Sequence, residues 1–67
     1  METSEDLTKQ QAYEAMEAGK KITHSLFGAE EFLYMTDGNM YEEAGYRFEA
    51  GWEMRTEDYW LTGWRVY

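Results

Sequence analysis

Only six residues of this chain are Leu, Ile or Val, namely Leu7, Ile22, Leu26, Leu33, Leu61 and Val66, so an ordinary aliphatic core is out of reach. Hydrophobic residues still make up 43% of the sequence, and aromatics alone 18%. Any core must therefore be built from Phe, Tyr, Trp and Met. Each large aromatic buries about 150–250 Å², so five or six can support a small domain. Eleven of the twelve aromatics lie from Phe27 onward, with Tyr13 the sole exception. The chain thus divides into a helical front and an aromatic, strand-rich back. At 67 residues, it has the length of one small domain, residues 1–67, of marginal stability.

No Cys and no Pro occur, which excludes a disulfide staple, a thiolate zinc site and a cysteine nucleophile. Fourteen acids against six bases give a net charge of −8. That balance argues against direct binding to nucleic acid or an anionic membrane, and favours a partner with a basic surface. No apolar run approaches the roughly 20 residues of a membrane span, and the acidic start is unlike a signal peptide. A soluble cytoplasmic chain is the expectation.

Residues 1–6 are polar and acidic and are expected to fray. Thr8 with Gln11 forms a capping-box pattern, and Leu7 with Ala12 occupies the positions of a hydrophobic staple. Ala12, Ala15 and Met16 recur at helical spacing, and Gly19 followed by Lys20-Lys21 stops the pattern. A helix over about 8–18 follows. Strands are expected at 22–24, 32–36 and 39–42, the last two joined by a tight hairpin turn at Asp37-Gly38. After a turn at Ala44-Gly45, alternation predicts a strand at 46–49 with Tyr46 and Phe48 on one face. Another is predicted at 52–55, with Trp52 and Met54 inward. A capped turn at 56–61 and a strand at 64–67, with Trp64 and Val66 inward, close the chain. The predicted fold is α+β: one N-terminal helix packed on a small twisted antiparallel sheet of about 4–5 strands.

The chemistry-bearing residues do not assemble into a catalytic pattern. His24 is the single histidine, so a His-based metal site or catalytic triad has no partners, and a partly exposed structural role is expected. The acid pairs Glu30-Glu31, Glu42-Glu43 and Glu57-Asp58 are adjacent in sequence, so in strands they point to opposite faces rather than converge. No glycine-rich phosphate loop follows a strand. No cofactor, no metal and no enzymatic activity are expected.

Two binding signals remain. Carboxylates spaced over a folded surface can imitate phosphates and occupy the basic cleft of a nucleic-acid-handling protein. The aromatic surplus leaves some of Tyr41, Tyr59, Trp60 and Tyr67 at least partly exposed, and self-association would cover them. The expected contact residues are Tyr41, Glu42, Glu43, Glu57, Asp58, Tyr59 and Trp60.

The run Ala12-x-x-Ala15-Met16-x-x-Gly19-Lys20-Lys21-Ile22-x-His24 and the tail Asp58-Tyr59-Trp60-Leu61-x-Gly63-Trp64-x-Val66 resemble the opening and closing segments of the second-type Thoeris anti-defence family of small phage-encoded proteins. The resemblance covers about half of the chain. It implies a compact helix-plus-sheet domain that oligomerises and sequesters a cyclic-nucleotide signal. In that family an Arg and then a Trp usually follow Gly-Lys-Lys, where this chain has His24 and Phe27. Under the implied activity, Arg47, Arg55 and Arg65 are the candidate ligand residues. The primary functional expectation is a phage-type accessory protein that binds and inhibits a host protein at a basic nucleic-acid or nucleotide site. The homo-oligomeric nucleotide sponge is the alternative.

Overall fold

The computed structural model describes residues 6–67, and the rest of the segment expected to fray, residues 1–5, lies outside them. Asp6 is held in place: its carboxylate accepts from Gly63 N–H at 3.1 Å. Helix α1 spans Lys9–Glu17. Thr8 Oγ1 accepts from Gln11 N–H at 3.1 Å while Gln11 Oε1 accepts from Thr8 N–H at 2.9 Å, so the capping box forms and satisfies two amides left free by the first turn. Its far end is a Schellman motif. Lys20 N–H reaches Ala15 O and Gly19 N–H reaches Met16 O, with Gly19 at φ +97°.

Strands β1 (Ile22–His24), β2 (Leu33–Thr36), β3 (Asn39–Glu42) and β4 (Trp64–Val66) form one antiparallel sheet in the order β3-β2-β1-β4. Asp37 and Gly38 join β2 to β3 with φ +53° and +79°, the two positive values a type I′ hairpin turn requires. Chain-terminal β4 returns to lie beside β1, pairing His24 with Trp64 and Ile22 with Val66. The α+β arrangement expected from the sequence is the observed one, with four strands.

Alternation then separates two faces. Ile22, His24, Leu33, Met40 and Trp64 point toward α1, whose Ala12 and Met16 meet them, and all seven are buried. Trp64 is the hub of this core. It has no solvent exposure, and its ring lies 4.6 Å from His24, 4.9 Å from Trp52 and 5.6 Å from Phe27. Its indole N–H donates to Trp60 O at 2.7 Å, so the polar handle is also satisfied.

Three expectations are corrected. Residues 52–55 are not a strand: helix α2 spans Glu49–Met54. Phe48 and Trp52 stand four apart, a helical spacing, and Trp52 N–H bonds Phe48 O at 2.9 Å. The strand reading rested on Trp52 and Met54, of which only Trp52 is inward, while Met54 is 75% exposed. The segment before α2 is a single bridge, Tyr41 with Arg47, and Tyr46 is exposed while Phe48 packs on the core. Finally, His24 is buried, not partly exposed.

Helix α2 is too short to stand alone, and α1 secures its end. Lys9 Nζ donates to Trp52 O at 2.6 Å and Arg55 O at 2.7 Å, the carbonyls that a helix terminus leaves open. The same ammonium lies 5.0 Å from the Trp52 ring centroid. Burial first, and the nearby Arg55 charge second, hold its pKa below the usual lysine value. A 3₁₀ turn, η1 (Asp58–Trp60), then leads through Gly63 into β4.

Gly63 sits at φ +89°, and a Cβ there would fall 3.0 Å from His24 Nε2 and 3.1 Å from Ser25 Oγ. Gly63→Ala therefore combines a left-handed backbone with overpacking against a buried ring, a cost of about 2–4 kcal/mol. A urea-unfolding midpoint unchanged in this variant would contradict the tight approach.

Candidate functional site

The expected contact residues separate into two groups. Tyr41 and Glu42 lie on β3, an outer strand, and Glu43 in the turn that follows it. Glu57, Asp58, Tyr59 and Trp60 form the lip of η1, which leads into β4 at the opposite edge of the sheet. With β2 and β1 between them, these edges are about 14 Å apart, so the two groups are not brought together. Glu42 is also engaged locally, its carboxylate accepting from Ala44 N–H at 2.7 Å.

Within the η1 group, Trp60 acts inward. Its ring stands 4.6 Å from His24, 5.9 Å from both Phe27 and Trp64, and 4.8 Å from the Arg55 guanidinium. It fixes the turn rather than projecting from it. Its neighbour Tyr59 is 57% exposed, with Glu57 and Asp58 exposed beside it. The sequence reading missed three more apolar members of this side. Met54 was assigned inward on a strand. Leu61 is exposed on the way to β4, and Leu26 adjoins Phe27 in the loop after β1. Four of the six exposed large hydrophobics among the described residues thus lie on α2, on η1 or within two residues of η1 or β1, and Glu53, Glu57 and Asp58, adjacent to Met54 and Tyr59 in sequence, are exposed as well. Helical spacing from Phe48 to Trp52 was the signal that would have turned Met54 outward.

His24 underpins this region. Leu26 N–H donates to its Nδ1 at 3.0 Å, and its Nε2 lies 2.7 Å from Thr62 O. An amide can only donate and a carbonyl only accept, so these bonds assign Nδ1 as the acceptor and Nε2 as the donor. One side chain thereby ties the loop after β1 to the segment between η1 and β4.

The three arginines do not share a pocket. Arg47 forms an ion pair with Glu49 at 2.8 Å beside β3. Arg55 is sandwiched between the Phe48 and Trp60 rings, each 4.8 Å away, and donates to Gly51 O. Arg65 is on β4 and borders a groove with Asp6, Ser25 and Gly63. A hollow of about 430 Å³ lies between α1 and α2 and is lined by Lys9, Gln10, Tyr13, Trp52 and Glu53. Its one ammonium is already bound to the two α2 carbonyls. Among the described residues no group of three His, Asp or Glu side chains could hold a metal ion, and no helix is long and apolar enough to cross a membrane.

Glu49 carries the clearest electrostatic perturbation. Hydrogen bonds from Arg47 and from Met40 N–H lower its pKa from the usual 4.5 to about 2. A carboxyl depressed on folding contributes stability that is complete above its unfolded value and is lost as pH falls through the folded one. Glu49→Gln is therefore expected to flatten the acid limb of the stability profile between 4.5 and about 2, as followed by urea midpoints. An unchanged limb would show that the ion pair makes no contribution.

Scans against protein-family models, curated proteins and solved structures each give no match.

Proposed function

We propose that this chain is a non-catalytic binding protein that docks onto, and blocks, a protein with a basic surface through the η1 side. The observation that carries the reading is the exposure of Leu26, Met54, Tyr59 and Leu61 on segments joined through His24, Trp60 and Arg55, with Glu53, Glu57 and Asp58 exposed next to them in sequence. Exposed apolar side chains set among charged ones are a mark of protein interfaces, and Tyr is a frequent anchor at their centres. The charged neighbours supply the sign of the partner: three carboxylates favour a basic counter-surface and speed encounter with it. Trp60, His24 and Arg55 beneath hold the segment in one conformation, which lowers the ordering cost of binding. Of the two acidic groups expected from the sequence, the reading keeps the one at η1 and leaves out the β3 edge.

The test is native mass spectrometry of complexes captured from lysate by the wild-type chain and by Glu57→Lys/Asp58→Lys. A partner held at fixed stoichiometry by the wild type and released by the variant, with unchanged circular dichroism, is the expected result. Equal capture by both, or no captured protein, overturns the reading.

A further inference from the structure

The sheet's other face carries a different chemistry. Its outward positions are Tyr34, Thr36, Asn39, Tyr41 and Arg65; Thr23 is on the same side but buried, its hydroxyl donating to Glu31 O at 2.8 Å, and alternation continues the face through Lys21, Phe32 and Tyr67 at the strand ends. The same alternation carries β3 past Tyr41 to Glu43, so the face holds two cations beside one acid, in a chain with fourteen acids. The aromatic rings form an unbroken row: Tyr67 to Phe32 at 4.7 Å, Phe32 to Tyr34 at 6.1 Å, and Tyr34 to Tyr41 at 5.7 Å with planes only 25° apart. Lys21 Nζ stands 4.8 Å from the Phe32 centroid, and Arg65 lies on the same face. Neither cation has a carboxylate within ion-pair distance among the described residues. Asp6 lies beside Arg65 in the groove at the β4 edge, and Glu31 adjoins Phe32.

We infer that this face is a stacking platform for a short segment of single-stranded nucleic acid, with bases on the Phe32–Tyr34–Tyr41 row and phosphates against Lys21 and Arg65. A four-stranded antiparallel sheet whose aromatics stack two or three bases is an established way of holding unpaired strands, and this row spans about the width required. The net charge of −8 opposes it only at long range. Charges beyond a Debye length of about 8 Å are largely screened at physiological ionic strength, so a ligand in contact responds to the cations of this face. Stacking is tolerant of base identity, so binding is without sequence preference. The inference is independent of the η1 surface, which lies on other residues.

The experiment is fluorescence anisotropy of a labelled oligothymidylate of about eight nucleotides, within the usual site sizes, at about 0.15 M salt and then over a salt series. Dissociation constants between about 1 and 100 μM are expected, the range of non-specific contacts. Tyr34→Ala should weaken binding by about 5- to 150-fold, the effect of losing one stacked base. Lys21→Gln/Arg65→Gln leaves the core intact and should remove a salt dependence with log–log slope near −1.4, the value for two phosphate contacts on a single strand. Absence of binding by the folded chain, or affinity unchanged in both variants, overturns the proposal. So does thymidine monophosphate competing as well as the oligomer, which marks a mononucleotide site, or a dimer in light scattering that Tyr34→Ala dissolves, which marks a second copy as the occupant.

Discussion

Trp64→Ala is expected to leave this chain unfolded at room temperature. The indole is wholly buried between His24, Trp52 and Phe27, and its N–H is bound to Trp60 O. Removing a buried Trp costs about 3–5 kcal/mol, because transfer energy and a residual cavity add. A domain of this size has a total stability of about 3–10 kcal/mol. The core has no aliphatic reserve to collapse into the space, since Ile22 and Leu33 are its only buried branched aliphatics. The change also strips α1, α2 and η1 of their shared neighbour. Near-ultraviolet circular dichroism and a urea titration check it. A cooperative transition with a midpoint close to that of the wild type would show that Trp64 is not the hub.

His24 gives the second large effect, and its pattern matters more than its size. If the ring merely filled space among the aromatics, His24→Phe would be nearly neutral. The two hydrogen bonds predict otherwise. Phe leaves Leu26 N–H and Thr62 O without their partner in part-buried bonds, so it should be destabilising by about 1–3 kcal/mol in all. The two isosteric amides should rescue in part. Asn can place an oxygen where Nδ1 accepts, and Gln can place an N–H where Nε2 donates. Thermal unfolding of the three variants checks the order, with Phe below Asn and Gln. Phe at wild-type stability would contradict the satisfied-ring account.

What could be read from the sequence was what local chemistry decides. Thr8 with Gln11, Gly19, and Asp37-Gly38 each need a particular residue type at a particular backbone geometry, and each forms as its pattern indicates. The failures lie where tertiary contacts decide. Residues 49–54 contain one buried side chain, Trp52, and a two-point alternation looked as good as a turn of helix. What makes this segment helical is remote: Lys9, forty-three residues earlier, closes its C-terminal carbonyls. The burial of His24 was equally hidden, because its partner carbonyl lies 38 residues away at Thr62.

The candidate surfaces were only half legible for the same reason. Charge and aromatic content marked Glu57, Asp58 and Tyr59, but adjacency in sequence could not show that Trp60 turns inward beside them. Nor could it show that Tyr41 joins Phe32, Tyr34 and Tyr67 across four strands instead of acting with Glu42 and Glu43. That grouping is set by strand order β3-β2-β1-β4, in which the last strand returns beside the first.

The central claim, that the η1 side is where a protein partner docks, is tested most directly by site-specific photocrosslinking in lysate. A benzoylphenylalanine would replace Tyr59 in one sample and, as a control on a different part of the surface, the more exposed Tyr46 in another. The account predicts a discrete adduct with one basic protein from position 59 and none from position 46. Adducts from position 46 alone, or the same adducts from both, would contradict it.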